Sequence, residues 1–488
     1  MQMGFAINRM VGLHPRMILV TMPRDSVGLW RFGGIELRLI LDTKYRPITQ
    51  IQLLNSGQDI ISRCCQGRRT EMYVAENGLH VLLSTLGRSH YVIAAEYLVK
   101  HGVDISLLQG WVPKRIDSIW VKIAACIIRR RSFVPGLKKR LPPALEGHVV
   151  SSIWGELVQA LLFLTVGRIS KCFYHLSATI AFYVHGFFSR QFFTTKGKPL
   201  TVFHVKSGLG RGGAIVGARR RGMKILVDHC VPHPLSMKKT TGEKGYDEWW
   251  SFWKPVMKDC NEADLVMVGS EYVKKTFVEF GFPSDKIRVV PLGVLPLFSR
   301  VKTKYAKEGC LELIYTGNWG HWKGVDDLID SVEIMKNRGL DIHLTVVGSH
   351  DEKSTSYNKV INEQLPVTFV GHVPQEELKG YLELAEVYVF PSLRDGFAVS
   401  AFEGMAAGLC LVTTEESSIP IMDGITGYYV PSHSPREIAD RIEYLINNRH
   451  EIERIGRAAA NKVASDYTWD RYAENVQKVY RELLGEMV

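Results

Sequence analysis

The chain has 488 residues, 46% of them hydrophobic, enough to bury two or three domain cores and too apolar for a disordered polymer. Its eight cysteines are scattered, with no C-x-x-C pair and no histidine cluster at zinc spacing, which argues against a disulfide framework or structural metal and for a reducing compartment. The net charge of +11 divides into +21 over residues 1–300 and −10 over residues 301–488, so the first half calls for an anionic partner: a membrane surface, a lipid-linked phosphate or nucleic acid. Nucleic acid is the weakest of these, because no recognised binding module accompanies the charge.

Residues 1–12 hold one basic residue and a short apolar stretch before His14 and Pro15, so no signal peptide is expected. Residues 1–70 fit no repeating pattern and read as an accessory segment or extension. From residue 78 a regular rhythm begins: a strand at 80–83, a turn at 86–89 containing Gly87, a helix at 91–100 and a strand at 103–108. Strand, glycine turn and helix in repetition predict a parallel sheet with crossover helices. An insertion at 116–198 is rich in basic and aromatic residues, including Arg129 to Arg131 and Lys138 to Arg140. Its longest charge-free stretch, 172–188, is short for a bilayer span and reads as a buried or interfacial helix.

The rhythm resumes with a strand at 200–204, a turn carrying Gly208, Gly210, Gly212 and Gly213, and a strand at 224–228. A strand at 263–268 follows, then a helix at 272–280 capped by Ser270, and a strand at 287–290. Polar residues at 297–309 read as a linker. A second run of the rhythm occupies 311–391 and ends in a helix around Glu403. The expected domains are 71–300, with its insertion, and 301–470, followed by a terminal helix at 471–488.

Three clusters carry chemistry. Asp395 and Glu403 lie eight positions apart in the loop and helix that follow an apolar strand, Pro391 to Gly408. In that position both carboxylates can face the crevice beyond the strand ends. Glu403 suits a ribose diol and Asp395 suits the hydroxyls of a sugar. The amides from Phe397 to Ser400, including Ala398 and Val399, can meet phosphate oxygens at a helix N-terminus. The second cluster is Gly317-Asn318 followed by Lys323-Gly324, and the third is Asp228-His229 at the end of a first-domain strand.

The 391–408 segment resembles the signature of glycosyltransferase family 4, a Glu-x7-Glu pattern followed by Ala-Met-Ala and Gly, with Asp395 in place of the first acid and Ala398 in place of a glycine. The 315–325 segment is similar to the family's Gly-Arg and Lys-Gly loop, with Asn318 at the arginine position. The resemblance is dense over 305–485, moderate over 200–300, thin over 78–110 and absent before 70. It implies an α/β GT-B fold: two Rossmann-like domains facing a cleft, with a C-terminal helix crossing back to the first.

The resemblance further implies a nucleotide diphosphate sugar as donor. Lys323 then neutralises the diphosphate, with Arg394 or His321 substituting for the missing arginine, and His229 contacts the donor sugar. Gly87, Gly317, Asn318, Arg394, Gly396, Phe397, Ala398, Val399, His372 and Val373 line the donor site. The reaction it implies is retaining transfer by front-side displacement, with no cofactor and no metal, since no D-x-D motif ends a strand of the second domain. The acceptor is expected to be a glycan or lipid-linked, in glycan or envelope polysaccharide biosynthesis, and the protein cytoplasmic and peripheral on the cytoplasmic face of a membrane. A nucleotide-sugar epimerase or hydrolase of the same fold, or a non-catalytic sugar-nucleotide-binding subunit, are the alternatives.

Overall fold

The structure is a computed structural model that describes residues 28–32, 35–40, 50–54, 79–86, 90–112, 142–165, 171–193, 200–242 and 250–486. Two compact units divide the chain, Met1–Gly78 and Leu79–Val488. In the first, strands β1 (Gly28–Phe32), β2 (Ile35–Ile40) and β3 (Gln50–Leu54) form an antiparallel meander.

The second unit holds two parallel sheets. Strands β4 (His80–Ser84) and β5 (Asp104–Gln109) flank helix α1 (Tyr91–Lys100), and β6 (Val149–Ser151) follows. Helices α2 (Ile153–Thr165) and α3 (Lys171–Ser189) pack together as a hairpin. Then come β7 (Val202–Lys206), α4 (Ala214–Arg220), β8 (Lys224–His229), α5 (Pro234–Thr241), α6 (Trp250–Glu262), β9 (Leu265–Val268), α7 (Glu271–Glu279) and β10 (Ile287–Val289). The strands lie in the order β10-β9-β8-β7-β4-β5-β6, all parallel. Ser270 caps α7 by accepting the amide of Val273 at 3.1 Å, which satisfies a donor that the first helical turn leaves over.

The second sheet is built from β11 (Leu311–Thr316), α8 (Val325–Asn337), β12 (Ile342–Val347), α9 (Thr355–Asn362), β13 (Val367–Gly371), α10 (Gln375–Leu384), β14 (Val387–Phe390), α11 (Val399–Ala407), β15 (Cys410–Thr413) and β16 (Tyr428–Tyr429). Its order is β13-β12-β11-β14-β15-β16. Strands β14 and β15 are buried at every position, as expected where helices cover both faces of a parallel sheet. The chain leaves β11 toward one edge and returns at β14 toward the other, so the switch point of the sheet lies between them. That is where open α/β sheets leave a crevice.

Helices α12 (Pro435–Asn447), α13 (Arg449–Asp466) and α14 (Trp469–Leu483) close the chain. The last crosses to the first sheet: Tyr480 Oη lies 2.7 Å from His204 Nδ1, Asp470 pairs with Lys100 and His101 at 2.9 Å, and Arg288 Nε donates to Glu482 at 2.8 Å. The segment after β10 is docked rather than loose. The amides of Arg300 and Lys302 donate to Ala406 and Ala407 at 2.7 and 2.8 Å, and Tyr305 Oη donates to Gly408 O at 2.7 Å. Its polar residues therefore cover the back of α11.

The glycine-rich turn after β7 serves packing. Its Gly208 and Gly210 amides donate to Asp259 of α6 at 2.7 and 2.8 Å, a carboxylate that also holds Arg211. The hairpin seats on the other side of this turn, where a Cβ on Gly212 would stand 2.2 Å from Tyr183 O. Among the described residues no helix is long and apolar enough to cross a membrane.

Candidate functional site

The 3-10 turn at 321–323 after β11 and the loop after β14 meet across the switch point. Lys323 Nζ donates to both oxygens of Asp395, at 2.9 and 2.8 Å, and sits 5.2 Å above the Phe390 ring. Ser392 Oγ adds a third bond to Asp395 at 2.7 Å, and the Asp395 amide donates to Glu416 O at 2.8 Å. Both members of the pair are mostly buried, with side-chain exposures of 18% and 17%. An ammonium has three N–H donors. Two bind Asp395, and no described residue accepts the third.

The turn keeps this register through Gly324, whose φ is +68° and where a Cβ would stand 1.8 Å from Pro391 O. Only glycine meets both conditions. The Leu393 amide in turn donates to Trp322 O at 3.0 Å, stitching the two loops together.

Glu403 projects from the second turn of α11. It is half-buried, and burial pushes its carboxyl up to about 7. No hydrogen bond or ion pair from a described residue offsets that burial, in contrast to Asp395. Tyr388 lies beside it, bonded to Thr316 Oγ1 at 2.5 Å. Gly317 comes within 4.0 Å of Ser400 Oγ, measured from an ideal Cβ. The end of β11 and the start of α11 thus lie close together beside Glu403.

Asn318 accepts Tyr315 Oη through its carbonyl at 2.7 Å and Ser349 Oγ through its side chain at 2.5 Å. Arg394 lies with its guanidinium 5.5 Å above the Trp322 ring. His321 lies 2.7 Å from Asp326. Phe397 stacks on Phe402 at 4.4 Å. Ala398 is buried and stands at the N-terminal boundary of α11 without a capping side-chain bond.

One expectation needs correction. The Val399 amide already donates to Phe397 O at 2.9 Å, so the run of amides from 397 to 400 is not wholly open to a phosphate. His372 is exposed and Val373 half-buried beyond the end of β13. Gly87 lies outside the described residues.

His229 stands apart from the second-domain cluster. Its ring is buried inside the first domain, 3.0 Å from Ser207 Oγ, 3.9 Å from Cys260 Sγ and against Phe277. Burial lowers it to about 4, outweighing the nearby Asp228 carboxylate. It is therefore a neutral imidazole at ordinary pH. What reaches the loop of Asp395 is the next residue: a Cβ on Gly396 would stand 1.7 Å from Cys230 O. Asp228 lies behind, 3.7 Å from His204 and 4.0 Å from His90. Burial would raise its carboxyl, but the two histidines beside it hold it well below the usual carboxylate range.

Sequence reasoning missed Ser392, Tyr388 and Ser400. Ser392 had a legible signal, a hydroxyl three residues before an acid in a strand-to-helix loop. The other two depend on a contact between β14 and α11 that no short spacing encodes.

Two parallel sheets joined at such a crevice, with the last helix returning to the first sheet, define the GT-B fold. The structure of sucrose-phosphate synthase from Thermosynechococcus elongatus shares it, with a TM-score of 0.59 over 83% of this chain and 99% of that one, at 18% identity. Residues 311–448 match the family model described as Glycosyl transferases group 1. The amylovoran biosynthesis glycosyltransferase AmsK of Erwinia amylovora is 26% identical over 304 residues, 60% of this chain and 64% of its own. The capsular polysaccharide biosynthesis glycosyltransferase CapM of Staphylococcus aureus is 27% identical over 177 residues, 35% and 46% respectively. The chain thus spans less than two thirds of the length of these relatives.

Proposed function

We propose that this chain is a glycosyltransferase that moves a sugar from a nucleotide diphosphate donor on the second domain to a glycan or lipid-linked acceptor at the first. The observation that carries the reading is the contrast between the two carboxylates of the crevice. Asp395 is locked by Lys323 and Ser392, whereas Glu403 is half-buried without a partner. Burial disfavours its ionised form, and a ribose diol would offset that by supplying two donors. Lys323, held on Asp395, presents its remaining N–H to the diphosphate, and Asp395 is fixed where a sugar hydroxyl meets it.

Catalysis on this reading is positioning and charge compensation on the leaving diphosphate. With both crevice carboxylates given to donor binding on this reading, front-side displacement with retention is favoured, and the lysine takes the part a metal would otherwise play. The match to polysaccharide-building relatives supports a role in glycan or envelope polysaccharide biosynthesis. The basic first half suits an anionic membrane surface on the cytoplasmic side.

The test is thermal shift with UDP, GDP, ADP, CMP and their sugars, followed by transfer assays with and without EDTA. One nucleotide is expected to raise the melting temperature, with the shift lost in Glu403→Ala, and transfer is expected to survive chelation. Turnover of donor with no acceptor present would turn the assignment to an epimerase or hydrolase. Binding without turnover over a broad acceptor panel would make the chain a non-catalytic subunit.

A further inference from the structure

The hairpin of α2 and α3 has two unlike faces. Its inner face is built for contact with protein. Gly155, Gly186, Ala178 and Ala181 allow close approach, and His185 Nε2 lies 3.1 Å from Ser84 Oγ at the end of β4. Its outer face is apolar and exposed. Trp154, Leu157 and Leu161 line α2, and Leu176, Ile180 and Phe187 line α3, with exposures reaching 55% at Leu161 and 56% at Phe187. Spacings of three, four and seven residues place each set on one stripe.

Charge separates the face from its surroundings. Residues 153–189 contain one carboxylate, Glu156, and it is turned inward to accept the Trp111 amide at 2.9 Å. Arginines gather where α3 ends. Arg190 lies 5.6 Å from the Phe187 ring, and exposed Arg221 at the end of α4 lies 5.5 Å from the Phe193 ring. A stripe of apolar side chains with few polar groups to fix a partner's register, edged by arginines and free of outward carboxylates, fits acyl chains below a layer of phosphate headgroups. A contiguous apolar surface of this kind marks an interaction site.

We propose that the outer face of the α2–α3 hairpin lies in the interface of an anionic bilayer and holds the first domain on the membrane. The hairpin does not span it, and α3, about 28 Å long at 1.5 Å per residue, lies along the surface. Because the inner face sits on the ends of β4 and β7, the acceptor side of the crevice stands beside the headgroups. That deepens the transferase reading, on which it rests only for this last consequence, by making the acceptor lipid-borne.

The test is co-sedimentation of the full chain with vesicles of phosphatidylcholine alone and of phosphatidylcholine with phosphatidylglycerol. Strong binding is expected only to the second. A triple variant, Leu161→Ser, Leu176→Ser and Phe187→Ser, is expected to bind at least about tenfold more weakly, and Arg190→Gln with Arg221→Gln to lose about tenfold, on anionic vesicles only.

Quenching of tryptophan emission by brominated lipid is expected to fall in Trp154→Phe, a conservative change that needs no disrupted surface. Nucleotide thermal shift in the same variants shows that they are folded and keeps failure of this proposal separate from failure of the donor assignment. Wild-type protein that ignores anionic vesicles, or a triple variant that binds them as before, would overturn it. So would an apolar face that proves to join two copies, seen as a dimer in sedimentation that the triple variant breaks without any vesicle binding.

Discussion

Glu403 couples the crevice to pH. Its carboxyl titrates near 7 because of burial, well above an ordinary glutamic acid. If the ionised form accepts the ribose hydroxyls, affinity for the nucleotide should rise with pH, and an ionised fraction climbing from about one tenth to nine tenths between pH 6 and 8 corresponds to roughly a tenfold gain. Calorimetric titration across that range measures it, and Glu403→Gln should bind weakly with a flat profile. The sign for stability is opposite. A carboxyl raised on folding favours the folded state fully below its unfolded value, and that contribution is lost as pH rises through about 7. The glutamine variant should therefore gain in melting temperature relative to wild type as pH rises from 5 to 8.

The Lys323–Asp395 pair poses a different question at the same scale. Removing either partner leaves the other charge mostly buried and alone, which is costly. Lys323→Ala and Asp395→Ala should each abolish most transfer. The double variant should fall well short of the sum of the two losses, with a coupling of about 1–3 kcal/mol measured from kcat/KM. Additive losses would mean that the two residues act on different parts of the substrate without supporting each other.

At the level of elements, much of the scaffold is readable from the chain. Strands β11 and β12 and helix α1 fall where continuous apolar runs and amphipathic stretches put them, and Ser270 announces α7 by its hydroxyl before the helix. The chemistry is less readable because it depends on contacts across 72 positions. Lys323 and Asp395 were each legible as site residues beside their glycine turns, but not as a pair, since the chain passes through β12 and β13 before returning at β14. The turn at 208–213 is legible as a glycine turn but not its use: the Gly208 and Gly210 amides are taken by Asp259 and Gly212 makes room for α3. His229 was placed by strand position, which does not tell whether a ring points into a crevice or back into its own domain.

Gly324 tests how far an element boundary controls the site. Alanine there would meet both a positive φ and the Pro391 carbonyl, so Gly324→Ala should cost about 1–3 kcal/mol in urea unfolding and move Lys323 off Asp395. Activity should then fall further than stability alone explains. A variant with unchanged activity would show that the lysine does not depend on this turn.

At the scale of the whole molecule, α14 ties the second sheet's chain back to the first. Its polar contacts are of two kinds. Asp470 with Lys100 and Glu482 with Arg288 are at the surface, where single pairs contribute little. Tyr480 is different, because its hydroxyl meets His204 in a fully buried place, and His204 in turn supports Asp228 at the end of β8. Tyr480→Phe keeps the ring and its packing but leaves Nδ1 of His204 buried without its partner, a loss of about 1–3 kcal/mol.

That loss falls on the contact between the last helix and the first sheet, and so on the seat from which Cys230 meets Gly396. Small-angle scattering should show a larger radius for Tyr480→Phe, and its KM for donor should rise more than its kcat falls. Asp470→Asn, acting on an exposed pair only, should leave both unchanged. If the two variants behave alike, α14 holds the first domain by its apolar face alone, and the buried histidines serve β8 rather than the crevice.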